Sequence, residues 1–171
     1  PTGAPLPEMA RGRNFTPVSI SAGFLHDLPY GIVASITAQR VERAPTALEL
    51  FSRGAHEASG TFEIGNPALK IERAQSIEAG LRKAKGPFRF DATEFNTRYH
   101  GYISKRLTGT LCGEEFDTCG VDTEFKQVVY SQRNATFTGA ELSTQFDIAP
   151  LGSGMFGIEN QFDIVRARFS D

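Results

Sequence analysis

Apolar and polar residues alternate with a period of two along six segments of this 171-residue chain, and that pattern predicts β-strands. In the second segment, for example, Ile32, Ala34 and Ile36 share one face while Ser35 and Thr37 share the other. The predicted strands cover residues 15–25, 30–40, 75–82 and 88–103, a fifth segment that includes 140–148, and a sixth over 156–164. Several reach ten residues or more, which is longer than the roughly 5–6 residues typical of soluble β-proteins.

The links between these segments alternate strictly between short and long. Short turns are predicted at 26–29, which contains His26, at 84–87 and around 150–152, and long loops at about 41–74 and 104–127. Tight turns at one end and large loops at the other are typical of bacterial outer-membrane barrels. The predicted fold is all-β, an antiparallel up-and-down meander of about six strands paired in sequence order. A single helical turn is expected at residues 46–51, within the first long loop.

Composition narrows the function classes. The net charge of -2 lacks the basic excess that is typical of proteins that bind nucleic acids. No apolar run approaches the ~20 residues that a spanning helix needs, but a transmembrane β-strand needs only ~10, half of which can be polar. A soluble β-sandwich that binds carbohydrate or protein remains the alternative. No phosphate-binding glycine loop, nucleophile elbow or zinc-protease motif occurs, and we therefore expect the protein not to be an enzyme.

The two cysteines, Cys112 and Cys119, lie close together in a polar stretch. A metal site would usually need two further ligands nearby, whereas a disulfide is the common use of such a pair in an exported protein. We favour a disulfide, whose eight-residue ring would contribute roughly 2–3 kcal/mol by the chain-entropy model.

Three stretches carry a family resemblance: ERAPTALELF at 42–51, GTFEIGNPALKIERAQSIEAGLR at 60–82 and TFTGAELSTQF at 136–146. They resemble successive late segments of the barrel of TonB-dependent outer-membrane receptors. A further pattern is similar to the corresponding loop of the subgroup linked to zinc uptake. It consists of Gly54, His56, Thr61, Phe62, Glu63 and Gly65.

The resemblance implies that residues 1–171 are part of a barrel of about 22 strands, without its plug domain or terminal strand. The implied function is import of a scarce metal ion or metal chelate, zinc first and an iron siderophore next. The implied partners are the TonB complex, acting through the plug domain and supplying energy, and outer-membrane lipid. The implied location is the outer membrane of a Gram-negative bacterium. Zinc or an iron chelate would be cargo, and no cofactor is expected.

Candidate metal ligands lie in the predicted outer loops. An imidazole with a nearby carboxylate suits a borderline metal such as zinc, which draws attention to His56 with Glu57, and to His100 near the outer end of a strand. The loop between the cysteines adds carboxylates: Glu114, Glu115 and Asp117. The alternative is that these groups are solvated loop residues.

Three further carboxylates, Glu141, Glu159 and Asp163, stand at polar positions of the fifth and sixth strands. In a barrel these positions face the lumen, where the side chains would meet the plug or the substrate path. Ordinary hydrogen bonding to neighbours in the barrel wall is the alternative.

Overall fold

The computed structural model describes residues 12–114, 119–120 and 124–170, and within them strands dominate. The strands are β1 (Ile20–Leu28), β2 (Ile32–Arg43), β3 (Arg53–His56), β4 (Thr61–Ile64), β5 (Glu72–Lys83), β6 (Phe88–Cys112), β7 (Phe125–Leu151) and β8 (Gly154–Ser170). One short helix, α1 (Ala47–Phe51), and two 3₁₀ turns, Pro29–Gly31 and Glu57–Ser59, lie between them. None of these described helices is long and apolar enough to cross a membrane.

The long strands form the predicted meander. The sheet order is β1-β2-β5-β6-β7-β4-β3, with β8 also paired to β7, so the six long strands are neighbours in sequence order. The sheet is mostly antiparallel, which confirms the fold class. β1 and β2 show the register, with Ile20 opposite Arg40 and Leu28 opposite Ile32. The two additional strands, β3 and β4, form a hairpin inside the first long loop.

The turn between β1 and β2 lies later than predicted. Tyr30 and Gly31 both have positive φ, 65° and 71°, and form the tight connection. These two positive-φ residues let the chain reverse direction within the three residues that separate Leu28 from its partner Ile32. His26 is consequently a strand residue opposite Ala34, and its predicted place in the turn was wrong.

The long links are shorter than the sequence predicted. β6 continues to Cys112 and β7 starts at Phe125, so the second link covers 113–124 and not 104–127. The first link covers 44–71 and contains α1, β3 and β4. The predicted strand ended where alternation failed. However, Gly101 and Gly109 have positive φ inside β6, and such bulge-like residues shift the alternation without ending the pairing.

The chain divides into two compact units. Of the described residues, the first unit comprises those from 12 to Val18 and those within 42–73 and 100–134; the second comprises those within 19–41, 74–99 and 135–170. Two clusters of buried apolar residues lie in the first unit. One cluster contains Leu50, Leu69, Ile103 and Tyr130; the other contains Phe62, Cys112 and Phe125.

Helix α1 confirms the predicted helical turn, and local sequence explains it. Thr46 caps the helix, since its hydroxyl accepts from the Glu49 backbone N–H while the Glu49 carboxylate accepts from the Thr46 backbone N–H. Gly65 lies against the end of this helix, where a Cβ would come within 2.5 Å of the Phe51 nitrogen. A larger residue would therefore push the chain away from α1.

Candidate functional site

A hairpin in the first long link carries His56. β3 and β4 pair antiparallel, ending with His56 opposite Thr61. β4 then pairs in parallel with the start of β7, from Thr61 opposite Lys126 to Ile64 opposite Val129. We call residues 53–64 the β3–β4 hairpin. Its docking on β7 brings residues that are distant in sequence close to the histidine.

A buried carboxylate lies beneath His56. Glu63 is only 3% exposed, yet it carries several polar partners. Lys105 Nζ donates to its Oε1 at 2.5 Å, and the Tyr130 hydroxyl donates to its Oε2 at 2.8 Å. The Lys105 ammonium also lies 5.7 Å from the centre of the Tyr130 ring. Nδ1 of His56 is 4.0 Å from Glu63 Oε1. The charge of the buried carboxylate is therefore compensated within the protein.

These contacts set the ionisation of the cluster. Burial by itself would raise the pKa of Glu63, but hydrogen bonds from Lys105 and Tyr130 outweigh it and lower that pKa below its ordinary value. Burial, and then the hydrogen bond to Glu63, raise the pKa of Tyr130 well above its usual range. At neutral pH the site thus holds an ionised glutamate and a neutral tyrosine that donates to it.

His56 is half exposed, at 51% of its side chain. Its Nδ1 lies 2.8 Å from Ser59 Oγ. Glu57, the carboxylate predicted to act with it, begins the adjacent 3₁₀ turn and is exposed. The carboxylate that the fold places near the imidazole is Glu63, and sequence proximity did not indicate this.

The other candidate ligands are not gathered around His56. His100 is an exposed residue of β6. Among the residues that the structure describes, no three His, Cys, Asp or Glu side chains are grouped so that they could hold a metal ion. Glu114 is exposed, while Glu115 and Asp117 lie outside the described residues.

The predicted disulfide is present. Cys112 and Cys119 are bonded and join the end of β6 to the link before β7. Cys112 is fully buried against Phe62 of the β3–β4 hairpin and Phe125 of β7. The Gln127 side-chain N–H group lies 3.4 Å and 3.5 Å from the two sulfurs. The disulfide therefore helps to form the apolar surface on which the β3–β4 hairpin packs.

A second ionic cluster fixes the start of the first link. Arg43 donates to both oxygens of Glu49, at 3.1 Å and 2.9 Å, and to both oxygens of Glu72, at 3.2 Å each. Glu72 also accepts from the Ile103 backbone N–H at 2.6 Å. The hydrogen bond to Glu72 is the main cause of the raised pKa of Arg43. One arginine thus ties α1 and β5 together and keeps its charge at any accessible pH.

The second unit has two chemically distinct strand faces. Phe88 lies 5.8 Å from Phe90 and 6.4 Å from Phe146, measured between ring centres, on one face. On the other, Arg89 donates to both oxygens of Asp147, at 2.6 Å and 2.7 Å. The apolar face is open to the surroundings. Its exposed residues include Ile20, Phe24, Phe156, Ile158, Phe162 and Ile164.

Comparison with known proteins identifies the family. The family model described as TonB dependent receptor-like, beta-barrel, matches residues 9–169. The chain belongs to the TonB-dependent receptor β-barrel family. This membership leaves no place for the β-sandwich alternative. It also confirms the resemblance to TonB-dependent receptors, whereas the zinc-uptake subgroup is not confirmed.

Two solved structures share the fold of this TonB-dependent receptor segment. One is the copper transporter OprC, with a TM-score of 0.61 and 17% identity over 86% of this chain. The other is the siderophore receptor PirA from Pseudomonas aeruginosa, with a TM-score of 0.57 and 16% identity over 86% of this chain. The chain spans 20% and 28% of the lengths of those two proteins.

The predicted lumen carboxylates of the receptor segment lie on its polar face. Alternation along β7 places Glu141 on the same side as Asp147, the partner of Arg89. Glu159 lines a polar depression together with Arg89, and alternation along β8 places Asp163 on the side of Glu159. All three predicted residues are exposed.

Sequence reasoning missed Lys105 and Tyr130. Lys105 lies beyond the predicted end of the fourth strand, and Tyr130 lies before the alternating part of the fifth, so neither residue was assigned to a face. A usable signal was present in Glu63, a carboxylate between Phe62 and Ile64 in an apolar strand pattern. A buried carboxylate requires a cationic or hydroxyl partner. That rule predicts a partner but not which residue supplies it.

Proposed function

We propose that this chain forms part of the wall and outer loops of a receptor in the outer membrane of a Gram-negative bacterium, which imports a metal ion or metal chelate. The observation that carries the proposal is the family match over residues 9–169 on a meander of six long strands. The energy would come from the TonB complex, acting through a plug domain.

The second unit supports the membrane location. Its exposed side chains include Phe24 at 64%, Ile158 at 58% and Phe162 at 55%. An apolar face of this kind is stable against lipid and costly against water. On the opposite face, Glu141, Glu159 and Asp163 would meet the plug or the path of the substrate.

Zinc is the first cargo proposed, and an iron siderophore the second. His56 supports zinc, because it is an exposed imidazole on a well-anchored hairpin and neutral imidazole is a common zinc ligand. Glu57 and His100 are proposed as further groups along the metal's route, since both are exposed in the same unit. None of these residues needs to form a closed site, because a transported ion must be released again.

The test uses the intact receptor, purified in detergent, and zinc titration by calorimetry near neutral pH. We expect His56→Ala to weaken zinc binding while the barrel stays folded, as judged by its heat-modifiable mobility in gels. His26→Ala is the matched control, since His26 is also exposed but lies on β1 in the other unit. Equal zinc affinities of wild type and His56→Ala would remove His56 from the proposal.

The same preparation tests the cargo class and the location. Tight binding of a ferric siderophore without zinc binding would replace zinc by the second cargo. An intact protein that is freely soluble without detergent would overturn the membrane proposal.

A further inference from the structure

A chain of polar contacts connects the buried Glu63 with His56. The Thr61 hydroxyl donates to Glu63 Oε1 at 3.3 Å, and the Thr61 and Ser59 hydroxyl oxygens lie 2.6 Å apart. Ser59 Oγ lies 2.8 Å from His56 Nδ1. We call Glu63, Thr61 and Ser59 the hydroxyl relay. It starts at a group that can only accept and ends on one ring nitrogen.

The direction of the relay begins at Glu63. An ionised carboxylate has no hydrogen to donate. Lys105 and Tyr130 both donate to this carboxylate and hold it in the ionised form. The Thr61 hydroxyl must therefore donate its only hydrogen to Glu63 if that contact is a hydrogen bond.

Counting hydrogens then decides the state of the histidine. The relay has three contacts, and its two hydroxyl groups supply two hydrogens. If His56 carries its proton on Nδ1, a third hydrogen is available and all three contacts are satisfied. If Nδ1 carries no hydrogen, one of the three contacts has no hydrogen between its two acceptor atoms. That contact is then repulsive and is not a hydrogen bond.

Ser59 has one competing acceptor, and it leads to the same result. Its hydroxyl also lies 3.2 Å from the His56 carbonyl oxygen. If the Ser59 hydrogen goes to that carbonyl, the Thr61–Ser59 contact has no hydrogen, and the Ser59–His56 contact is a hydrogen bond only when Nδ1 donates. In both arrangements the imidazole donates through Nδ1.

We propose that the hydroxyl relay holds neutral His56 in the tautomer with hydrogen on Nδ1, so that Nε2 carries the lone pair that a metal ion would bind. The assignment of the tautomer rests on the relay geometry. Its use in metal binding rests on the proposed function. Ser59, Thr61 and Glu63 are thus positioning residues, which act on the metal only through His56.

The physical benefit is orientation and basicity. A histidine that ligates a metal through one nitrogen commonly donates its other N–H to a carboxylate or another acceptor, which fixes the ring and strengthens it as a ligand. Here the carboxylate is buried and would act at a distance through two hydroxyls. Removing such a hydrogen-bond partner typically lowers the metal affinity of a site by about 10–100-fold.

Nitrogen NMR of the intact receptor, labelled with ¹⁵N-histidine, tests the tautomer directly, because protonated and bare ring nitrogens have well-separated shifts. Spectra are recorded at about pH 8, where an ordinary imidazole is neutral, and His56→Gln identifies the signals. We expect Nδ1 protonated and Nε2 bare in the wild type. Thr61→Val frees the Ser59 hydrogen to donate to Nδ1, so the other tautomer should become populated.

Two further variants complete the design. Ser59→Ala removes the acceptor next to Nδ1 and should also change the tautomer populations, which provides a second test if Thr61→Val does not fold. Thr110→Val is the matched control, because Thr110 is a half-buried threonine of β6 outside the relay. It should leave the His56 signals unchanged.

The outcomes separate this inference from the proposed function. A wild type with the proton on Nε2, or unchanged tautomers in both Thr61→Val and Ser59→Ala, would overturn the relay. If the relay is correct and the receptor transports zinc, Thr61→Val should bind zinc about 10-fold more weakly than Thr110→Val. The expected NMR result with no zinc binding by any variant would uphold the relay and overturn zinc as cargo.

Discussion

Replacing Lys105 by Met leaves the buried Glu63 carboxylate without its cation and should loosen the β3–β4 hairpin. The side chains are 40% exposed for Lys105 and 4% for Glu63, and their charged atoms are 2.5 Å apart. Met keeps most of the apolar stem of lysine, so the change mainly removes the charge. The hairpin then holds a carboxylate whose remaining donors are neutral or distant.

The expected magnitude lies between two limits. Removing one partner of a fully buried ion pair costs about 3–5 kcal/mol, and an exposed pair contributes about 0–1 kcal/mol. Because Glu63 is buried and Lys105 is partly solvated, we expect a loss of about 2 kcal/mol in the free energy of local opening. This corresponds to about 30-fold faster hydrogen exchange of the β4 amides.

The double variant Lys105→Met with Glu63→Gln is the decisive comparison. Glutamine can still accept from the Tyr130 hydroxyl but has no charge to compensate. Protection should therefore recover relative to Lys105→Met, as measured by hydrogen exchange of the intact receptor in detergent. An unchanged single variant, or a double variant less protected than the single, would refute the reasoning.

The pH dependence provides a further check. The folded-state pKa of Glu63 is lowered from its ordinary value of 4.5 because the hydrogen bonds from Lys105 and Tyr130 outweigh burial. The stabilisation is therefore complete above the ordinary value and is lost as the pH falls through the lower folded value. Without Lys105 burial carries more weight, so hairpin protection should begin to fall at a higher pH than in the wild type.

Two other predictions concern the apolar surface on which the β3–β4 hairpin packs. Phe62→Ala removes a fully buried ring beside the disulfide and should destabilise the hairpin by about 3 kcal/mol, seen as faster proteolysis between β3 and β4. Leu107→Ala, at a 61% exposed position, should change cleavage little; equal effects of the two would contradict this packing. Thiol titration of the denatured, unreduced receptor should find Cys112 and Cys119 unreactive. Reducing this disulfide should lower the free energy of local unfolding around it by about 2–3 kcal/mol. Reactive thiols at both positions without reductant would exclude the disulfide.

Local sequence determined the class and order of the fold. Alternation with a period of two predicted the six long strands, and short and long links predicted neighbour pairing. The helical turn expected at residues 46–51 is present as α1, and the capping box that starts it joins residues only three apart. The close spacing of Cys112 and Cys119 in sequence predicted their disulfide. Each of these signals is confined to a few neighbouring residues.

The site beneath His56 was decided by the tertiary structure. Lys105 and Tyr130 are 42 and 67 residues from Glu63 in sequence, and they meet it only because β4 docks in parallel on β7. No periodicity within a segment encodes that docking. The extension of β6 beyond its alternating part was also not readable, because Gly101 and Gly109 change the face of the following residues. Periodicity determines which residues can share a face, whereas long-range packing determines which residues face one another.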